Sequence, residues 1–256
     1  MSFPQRPVEN TIETAAARLR SARLVVVASG AGMSRESGIP TFRDALTGFW
    51  AKYNPEDLAT EPAFRRDPAR VFGWYAWRRR LVRAATPHAG YGALVALAAR
   101  VPELVIATQN VDGLHRRAGS ERVLELHGSL EQFFCLDGRH PFPADRVPEP
   151  AADGALDPPA CQRCGSPVRP GVVWFGEMLP ERVVAEAWEA AARCQVMLVV
   201  GTSGLVHPAA ELPRIARDAG ACVIEVNPEP SEVSAWADLV FRGTAAAVLP
   251  ALAAAV

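Results

Sequence analysis

Long hydrophobic runs are missing from this sequence. None approaches the ~20 apolar residues that a helix needs to cross a bilayer, and the longest, at residues 24–28 and 196–200, have the length of buried strands. The first ten residues are polar, contain two prolines and lack the apolar core of a secretion signal. We therefore expect no membrane partner and a cytoplasmic location.

A surplus of either charge is also missing, since 27 Lys and Arg face 28 Asp and Glu. Without a basic surplus, nucleic acid is not expected as a partner. The five cysteines are few and odd in number, which excludes a disulfide framework and fits a compartment where thiols stay reduced. A hydrophobic content of 49% suffices for one large core, with room for a smaller lobe.

What is present is a recurring unit, an apolar run followed by small or polar residues, with a helical pattern before the next run. A run that is apolar on both faces is typical of a central strand in a parallel sheet. The predicted strands lie at residues 24–28, 104–107, 196–200 and 223–226. This alternation predicts an α/β fold with a doubly wound, parallel, Rossmann-like sheet, which binds ligands beyond the carboxyl ends of its strands.

Two segments interrupt the alternation and predict a smaller inserted lobe. Residues 51–87 have a helical pattern without a strand, and residues 131–174 are rich in Pro and Gly and carry three of the cysteines. The first predicts a helical module and the second a Cys-bearing, zinc-ribbon-like module. The Rossmann-like domain would then comprise residues 8–50, 88–130 and 175–256.

A glycine-rich turn, Gly30-Ala31-Gly32, follows the first predicted strand directly. Glycines there let backbone N–H groups approach a pyrophosphate. The usual dinucleotide fingerprint is broken, because Arg35 stands where its third glycine belongs, so a tight turn without a ligand stays an alternative. The loop continues into Phe42 and Arg43, which an ordinary dehydrogenase turn does not need.

At this point the chain resembles the sirtuin family, and within it the bacterial members that remove succinyl and malonyl groups. The resemblance lies in six motifs that occur in order along nearly the whole chain. They are Gly30 to Ser34 with Gly38 to Arg43, Thr108 to His115, Leu126 to Ser129, Arg169 to Glu177, Gly201 to Ser203, and Val226-Asn227.

The resemblance implies an NAD-dependent protein-lysine deacylase, which consumes NAD and releases nicotinamide and O-acyl-ADP-ribose. Acylated protein lysines would be its substrates. His127 would be the general base and Asn110 would position water or the nicotinamide amide. The implied cofactor-binding residues are Gly30, Ala31, Gly32, Ser34, Phe42, Arg43, Gln109, Asp112, Gly201, Thr202, Ser203, Asn227 and Ala245.

The acyl-binding pocket is expected at Tyr75 and Arg78, which share one face of a predicted helix because they are three residues apart. The pair resembles the pattern of family members that prefer acidic acyl groups, and Ala59 matches the small residue that widens their pocket. A guanidinium can bind a carboxylate through two parallel hydrogen bonds. An aromatic core helix is the alternative. Val172 and Phe175 would lie along the bound peptide.

A metal site is implied by Cys161 and Cys164, a C-x-x-C pair of the kind that forms half of a zinc site. The family has two such pairs, whereas here the other keeps only Cys135. Either Asp137 or His140 would have to supply the fourth ligand of one structural zinc ion, or the metal is absent or weakly bound.

Three other functions stay open at this point. A dehydrogenase or a mono-ADP-ribosyltransferase could use the same sheet, and a non-catalytic module could bind NAD or acyl-lysine without turnover. The sequence leaves the oligomeric state and the physiological acyl group open.

Overall fold

The structure, a computed structural model, describes residues 10–41, 51–54, 58–150 and 154–256. Its main element is a six-stranded, fully parallel sheet in the order β3-β2-β1-β6-β7-β8. The strands are β1 Leu24–Ser29, β2 Glu103–Thr108, β3 Val123–Glu125, β6 Val196–Val200, β7 Cys222–Val226 and β8 Leu239–Phe241. The predicted doubly wound α/β fold is confirmed.

Helices cover both faces of this sheet because its central strands are apolar on both faces. In β1, every residue is buried; Val25 and Val27 belong to one core, and Val26 and Ala28 to the other. A fully buried valine contributes roughly 1.5–3 kcal/mol of transfer free energy. The first core is completed by α1 Ile12–Ser21, α4 Ala89–Ala98 and α8 Ala245–Ala255, and the second by α6 Glu181–Arg193 and α7 Leu212–Asp218.

The smaller lobe has a core of its own, rich in aromatic rings. It combines helices α2 Glu61–Arg66 and α3 Pro68–Ala84 with the antiparallel pair β4 Gly128–Cys135 and β5 Val168–Val172. Both helices begin with a side-chain cap, since Thr60 and Asp67 accept hydrogen bonds from the first-turn N–H groups of Ala63 and Arg70. The smaller lobe therefore has a hydrophobic core of its own.

The remaining elements are short. Helix α5 Leu114–Arg117 follows β2, and short 3₁₀ helices lie at Ala31–Ser37, Ala144–Arg146 and Ala209–Glu211. Among the described residues, no helix combines the length and apolar character that crossing a membrane requires.

Candidate active site

A crevice of about 1630 Å³ opens at the carboxyl ends of β1, β2 and β6, under the smaller lobe. Strand order reverses between β1 and β6, the position where doubly wound sheets bind ligands. All the described residues predicted to bind cofactor or substrate, together with His127 and Asn110, line this crevice. Phe42 and Arg43 lie outside the described residues.

Two glycine loops meet at the floor of the crevice. Gly32 N–H donates to the carbonyl oxygen of Gly201 at 2.8 Å, and a Cβ on Gly32 would lie 2.8 Å from that same oxygen. Gly201 has φ +59, and a Cβ there would lie 2.3 Å from the nitrogen of Met33. Because the main chains of the two loops are in contact, neither Gly32 nor Gly201 tolerates a side chain. The floor of the crevice at this point is formed by main chain alone.

Beside these loops, four buried side chains form one hydrogen-bonded cluster. Ser34 Oγ donates to Asp112 Oδ2 at 2.6 Å and accepts from Asn110 Nδ2 at 2.9 Å. The hydroxyl of Tyr91 lies 2.9 Å from Ser34 Oγ. Since Ser34 has one proton and gives it to Asp112, Tyr91 is the donor of that bond.

The electrostatics of this cluster fit Tyr91 as the hydrogen-bond donor. Burial raises the pKa of the Asp112 carboxyl, while the bonds from Ser34 and from the N–H of Leu114 act in the opposite direction. Burial, and then the charge of Asp112, raises the pKa of Tyr91, so the phenol keeps its proton. Asn110, the predicted catalytic amide, is thereby held in one orientation.

His127 lies between β3 and β4, half-buried at the crevice wall. Its Nδ1 is 3.1 Å from the carbonyl oxygen of Gln109, and its own carbonyl accepts from Val173 N–H at 2.9 Å. Burial lowers the pKa of the imidazole, and the bond to Gln109 opposes that shift. The ring is therefore neutral near pH 7 and can accept a proton.

Tyr75 and Arg78 both line the crevice from α3. The guanidinium carbon of Arg78 is 5.0 Å from the ring centroid of Trp74 and 5.8 Å from that of Tyr75. Burial raises the pKa of Tyr75 to about 12, with the charge of Arg78 opposing it, so the phenol is a hydrogen-bond donor at neutral pH. Ala59 is buried next to them and its carbonyl accepts from Phe175 N–H at 2.9 Å.

Val172 is the last residue of β5, and Phe175 lies three residues beyond it. Beyond Val172, the main chain bonds to His127 through Val173 and forms a parallel bridge between Thr60 and Phe175. The side chain of Phe175 is 49% exposed at the crevice rim. The segment thus connects the imidazole residue with the pocket at Ala59.

A second cluster lies in the smaller lobe, where Cys135, His140, Cys161 and Cys164 hold their ligand atoms within 4.8 Å of one another. Cys135 Sγ is 3.4 Å from His140 Nδ1 and 3.6 Å from Cys164 Sγ, and Cys161 Sγ is 3.6 Å from the same Nδ1. Tetrahedral zinc with ordinary bond lengths requires spacings of about 3.5 Å for N···S and 3.8 Å for S···S. The four residues therefore fit one zinc ion.

Two details favour His140 over Asp137 as the fourth member of this set. Asp137 is occupied elsewhere, since it accepts from Arg65 Nη2 at 2.9 Å, and it is not in the cluster. Gly138 makes room for the imidazole, because a Cβ there would lie 2.6 Å from a ring carbon of His140. Backbone N–H bonds to sulfur, chiefly from Arg163, lower the pKa of Cys161 to about 6 and favour the thiolate that zinc requires.

Comparison with known proteins places this site in a family. The model of the Sir2 family matches residues 30–208, and the match runs from the glycine loop through the loop after β6. The chain belongs to the Sir2 family.

Named relatives of this Sir2 chain are similar over almost their whole length. A protein of Ralstonia nicotianae named NAD-dependent protein deacylase is 52% identical over 240 residues, covering 94% of this chain and 95% of the relative. A protein of the same name from Methylococcus capsulatus is 49% identical over 238 residues, covering 92% and 93%.

Solved Sir2 structures have the same fold. The crystal structure of a Sir2 homologue in complex with NAD has a TM-score of 0.86 at 42% identity, covering 94% of this chain and 92% of that one. A Sir2 structure with a deacetylated p53 peptide and 3′-O-acetyl-ADP-ribose has a TM-score of 0.79 at 30% identity, covering 93% and 95%.

Sequence reasoning missed Tyr91 as a member of the Sir2 site, and it left the choice between Asp137 and His140 open. Tyr91 is an aromatic residue in an apolar helix, a pattern typical of core packing, and only the fold brings its hydroxyl to Ser34. For His140, the glycine two residues earlier was a signal, because it permits close approach of the ring.

Proposed function

We propose that this chain is an NAD-dependent protein-lysine deacylase. The observation that carries the proposal is the position of His127, whose neutral imidazole stands in the same crevice as the glycine loops and the pocket at Tyr75 and Arg78. The relatives' name and the NAD and peptide complexes of similar Sir2 structures support it.

NAD would supply nicotinamide as the leaving group and ADP-ribose as the acceptor of the acyl group. The loop that contains Gly30, Ala31 and Ser34 would bind its phosphates, because glycine lets a ligand approach the main chain closely. Small residues at Gly201, Thr202, Ser203, Asn227 and Ala245 would leave room for the adenosine end. Phe42 and Arg43 keep the cofactor roles that the resemblance implies.

The residues around the reacting ribose would divide the work of binding and proton transfer. His127 Nε2 would accept a proton from a ribose hydroxyl, because Nδ1 is occupied by the carbonyl of Gln109. Asn110 and Asp112, fixed through Ser34, would orient the nicotinamide end. The proton acceptor and the groups that orient the cofactor would therefore lie in one crevice.

The acyl group would be acidic, succinyl or malonyl, with acetyl also accepted. A carboxylate entering the pocket would meet the guanidinium of Arg78 and the phenol of Tyr75, which keeps its proton. The peptide would pair with the main chain between Val172 and Phe175, a mode that asks little of the flanking sequence.

The smaller lobe would be held together by one structural zinc ion on Cys135, His140, Cys161 and Cys164. Zinc bound there would neutralise the thiolates and link the loop after β4 to the loop before β5, and it would take no part in the reaction.

We also propose the division into residues 8–50, 88–130 and 175–256 for the large domain, with 51–87 and 131–174 as insertions. A cytoplasmic location stays a prediction that cell fractionation tests.

The decisive experiment incubates the protein with NAD and acetyl-, malonyl- and succinyl-lysine peptides and follows free nicotinamide. A deacylase releases nicotinamide and unmodified lysine in equal amounts, with no rise in the absorbance of reduced nicotinamide. A rise in that absorbance would instead indicate the dehydrogenase. Transfer of labelled ADP-ribose to protein would indicate the transferase. The absence of any nicotinamide release would refute both the deacylase and the transferase, and the additional absence of a rise in absorbance would refute the dehydrogenase.

A further inference from the structure

The most completely buried cation of the smaller lobe, Arg169 on β5, forms a two-pronged ion pair with Glu177. Its side chain is 1% exposed; Nη1 donates to Glu177 Oε1, and Nη2 donates to Glu177 Oε2 at 2.9 Å. Nη2 also donates to the carbonyl of Val172 at 2.8 Å, and the guanidinium carbon lies 3.3 Å from the ring centroid of Trp174. One cation thus contacts three points of the chain that follows it.

Glu177 closes the turn from the other side. Its Oε2 accepts from Trp174 N–H at 2.7 Å, and its own N–H donates to the carbonyl of Trp174 at 3.0 Å. Gly176, with φ +87, permits the left-handed residue that this turn requires. The bond to Arg169 lowers the pKa of Glu177 against the effect of burial, so the pair is charged at neutral pH.

The segment held in this way, residues 172–177, contacts the parts of the site that handle substrate. Val173 N–H bonds to His127, and Phe175 N–H bonds to Ala59, both at 2.9 Å. The ring of Trp174 lies 6.4 Å from that of Tyr75 and 5.2 Å from that of Phe64, centroid to centroid. A shift of this segment would therefore move the main chain for the peptide and the wall behind Tyr75 together.

Stability alone does not explain a buried charge at this position. Burying an ion pair costs desolvation free energy, and apolar residues of similar volume commonly serve a core as well or better. What a bidentate pair supplies is a fixed geometry, since both oxygens and two guanidinium nitrogens must align.

We propose that Arg169 and Glu177 are positioning residues for substrate: their ion pair fixes residues 172–177 so that the acylated peptide can add to this main chain while Trp174 supports Tyr75. The inference rests on the proposed deacylase function. Neither residue is assigned a chemical step. Within the part of the chain that the structure describes, neither Gly30 to Ser34 nor Gly201 to Ser203 forms a hydrogen bond to the pair, so the NAD site is not expected to depend on it.

The test compares Glu177→Gln and Arg169→Lys with a matched control, Glu131→Gln. Glu131 also pairs with a deeply buried arginine of the same lobe, Arg79, at 3.1 Å, but bonds no residue of the 172–177 segment. Each variant is measured for peptide KM and kcat, for NAD Kd by calorimetry, and for Tm.

We expect both Glu177→Gln and Arg169→Lys to raise the peptide KM about tenfold or more, with NAD Kd within about twofold of wild type. Glu131→Gln should lower Tm by an amount similar to that of the two test variants, while its peptide KM stays at the wild-type value. The inference is overturned if the peptide KM of both test variants matches that of Glu131→Gln, or if NAD Kd rises in step with KM. If Glu177→Gln does not fold, Arg169→Lys, which keeps the charge, decides alone. A wild-type protein that releases no nicotinamide would refute the deacylase itself, a different result from either.

Discussion

The imidazole of His127 is fixed by the main-chain carbonyl of Gln109, which lies 3.1 Å from Nδ1. A carbonyl oxygen only accepts, so Nδ1 carries the proton and the lone pair is on Nε2. Gln109 directly precedes Asn110, whose amide is bound to Ser34. The base and the amide of the proposed site are therefore set by one turn after β2.

Replacing His127 with Ala should separate catalysis from binding. We expect kcat to fall by a factor of at least about 10², since general-base catalysis typically contributes 10²–10⁴, while NAD Kd changes little because phosphate contacts come from main chain. Steady-state kinetics and calorimetry measure the two quantities. A variant that keeps wild-type turnover would exclude His127 as the base.

The pH dependence of kcat/KM follows from the pKa of the same group. Burial holds the pKa of His127 below its ordinary 6.5 in the folded protein. Activity requires the neutral ring, so it should be full above pH 6.5 and be lost as pH falls through the lowered pKa. A pH profile from 4.5 to 9 tests this, and an acidic limb centred above pH 6.5 would contradict it.

Stability should also depend on pH, through His115. This imidazole is 2% exposed, its Nε2 lies 2.9 Å from Ser29 Oγ, and burial lowers its pKa to about 3 from 6.5. Below pH 6.5 the unfolded chain binds the proton and the folded chain does not, so stability declines until about pH 3. At pH 5 the loss is about 2 kcal/mol relative to neutral pH.

Urea unfolding of wild type and His115→Gln at pH 7.5 and pH 5 measures this term. Glutamine keeps a donor toward Ser29 but does not titrate. The variant should lose less free energy of unfolding between the two pH values than wild type, by about that 2 kcal/mol. Equal losses in both proteins would show that His115 is protonated in the fold.

Arg78→Met should change the acyl preference rather than abolish the enzyme. Methionine keeps an apolar chain of similar reach but removes the cation, so activity on succinyl-lysine should fall at least about 50-fold, which corresponds to the ~2–3 kcal/mol of a hydrogen bond between charged groups. Activity on acetyl-lysine should change less than about threefold. An equal fall on both peptides would make Arg78 a structural residue.

His140 and Asp137 make opposite predictions for zinc. Purified wild type and Asp137→Ala should each hold one zinc ion per chain. The zinc Kd of His140→Ala should be about 10-fold higher or more, because His140 belongs to the cluster and Asp137 does not. A colorimetric chelator measures the release, and cobalt substitution reports tetrahedral thiolate ligation by its visible spectrum. Equal retention in both variants would mean that another group supplies the fourth ligand.

The sequence predicts the large sheet well because burial on both faces leaves a continuous apolar run that few other structures produce. It predicts β8 and the pair β4 and β5 poorly. Strand β8, at Leu239–Phe241, has only three residues. Strand β5 includes Pro170 and Gly171, which weaken a strand pattern. The fold nevertheless requires the glycine, because a Cβ on Gly171 would lie 2.7 Å from the Cβ of Gln132.

For the site, motifs locate the residues but not their partners. The positions of His127, Asn110 and Arg78 follow from motif order, whereas several hydrogen bonds in and around the site join segments that are distant in sequence. Ser34 and Asp112 are 78 residues apart, and Arg79 and Glu131 are 52 apart. Such pairs depend on the strand order, which local sequence does not specify.

The contact between Gly32 and Gly201 has a practical consequence for redesign. At the rim the crevice can be narrowed or widened by exchanging side chains, but here a single added methyl group would clash with the main chain of the other loop. Such a clash would push apart the loops after β1 and β6, at the end of the sheet where the ligand would bind. Libraries aimed at new cofactors should therefore leave these two positions as they are and vary the rim.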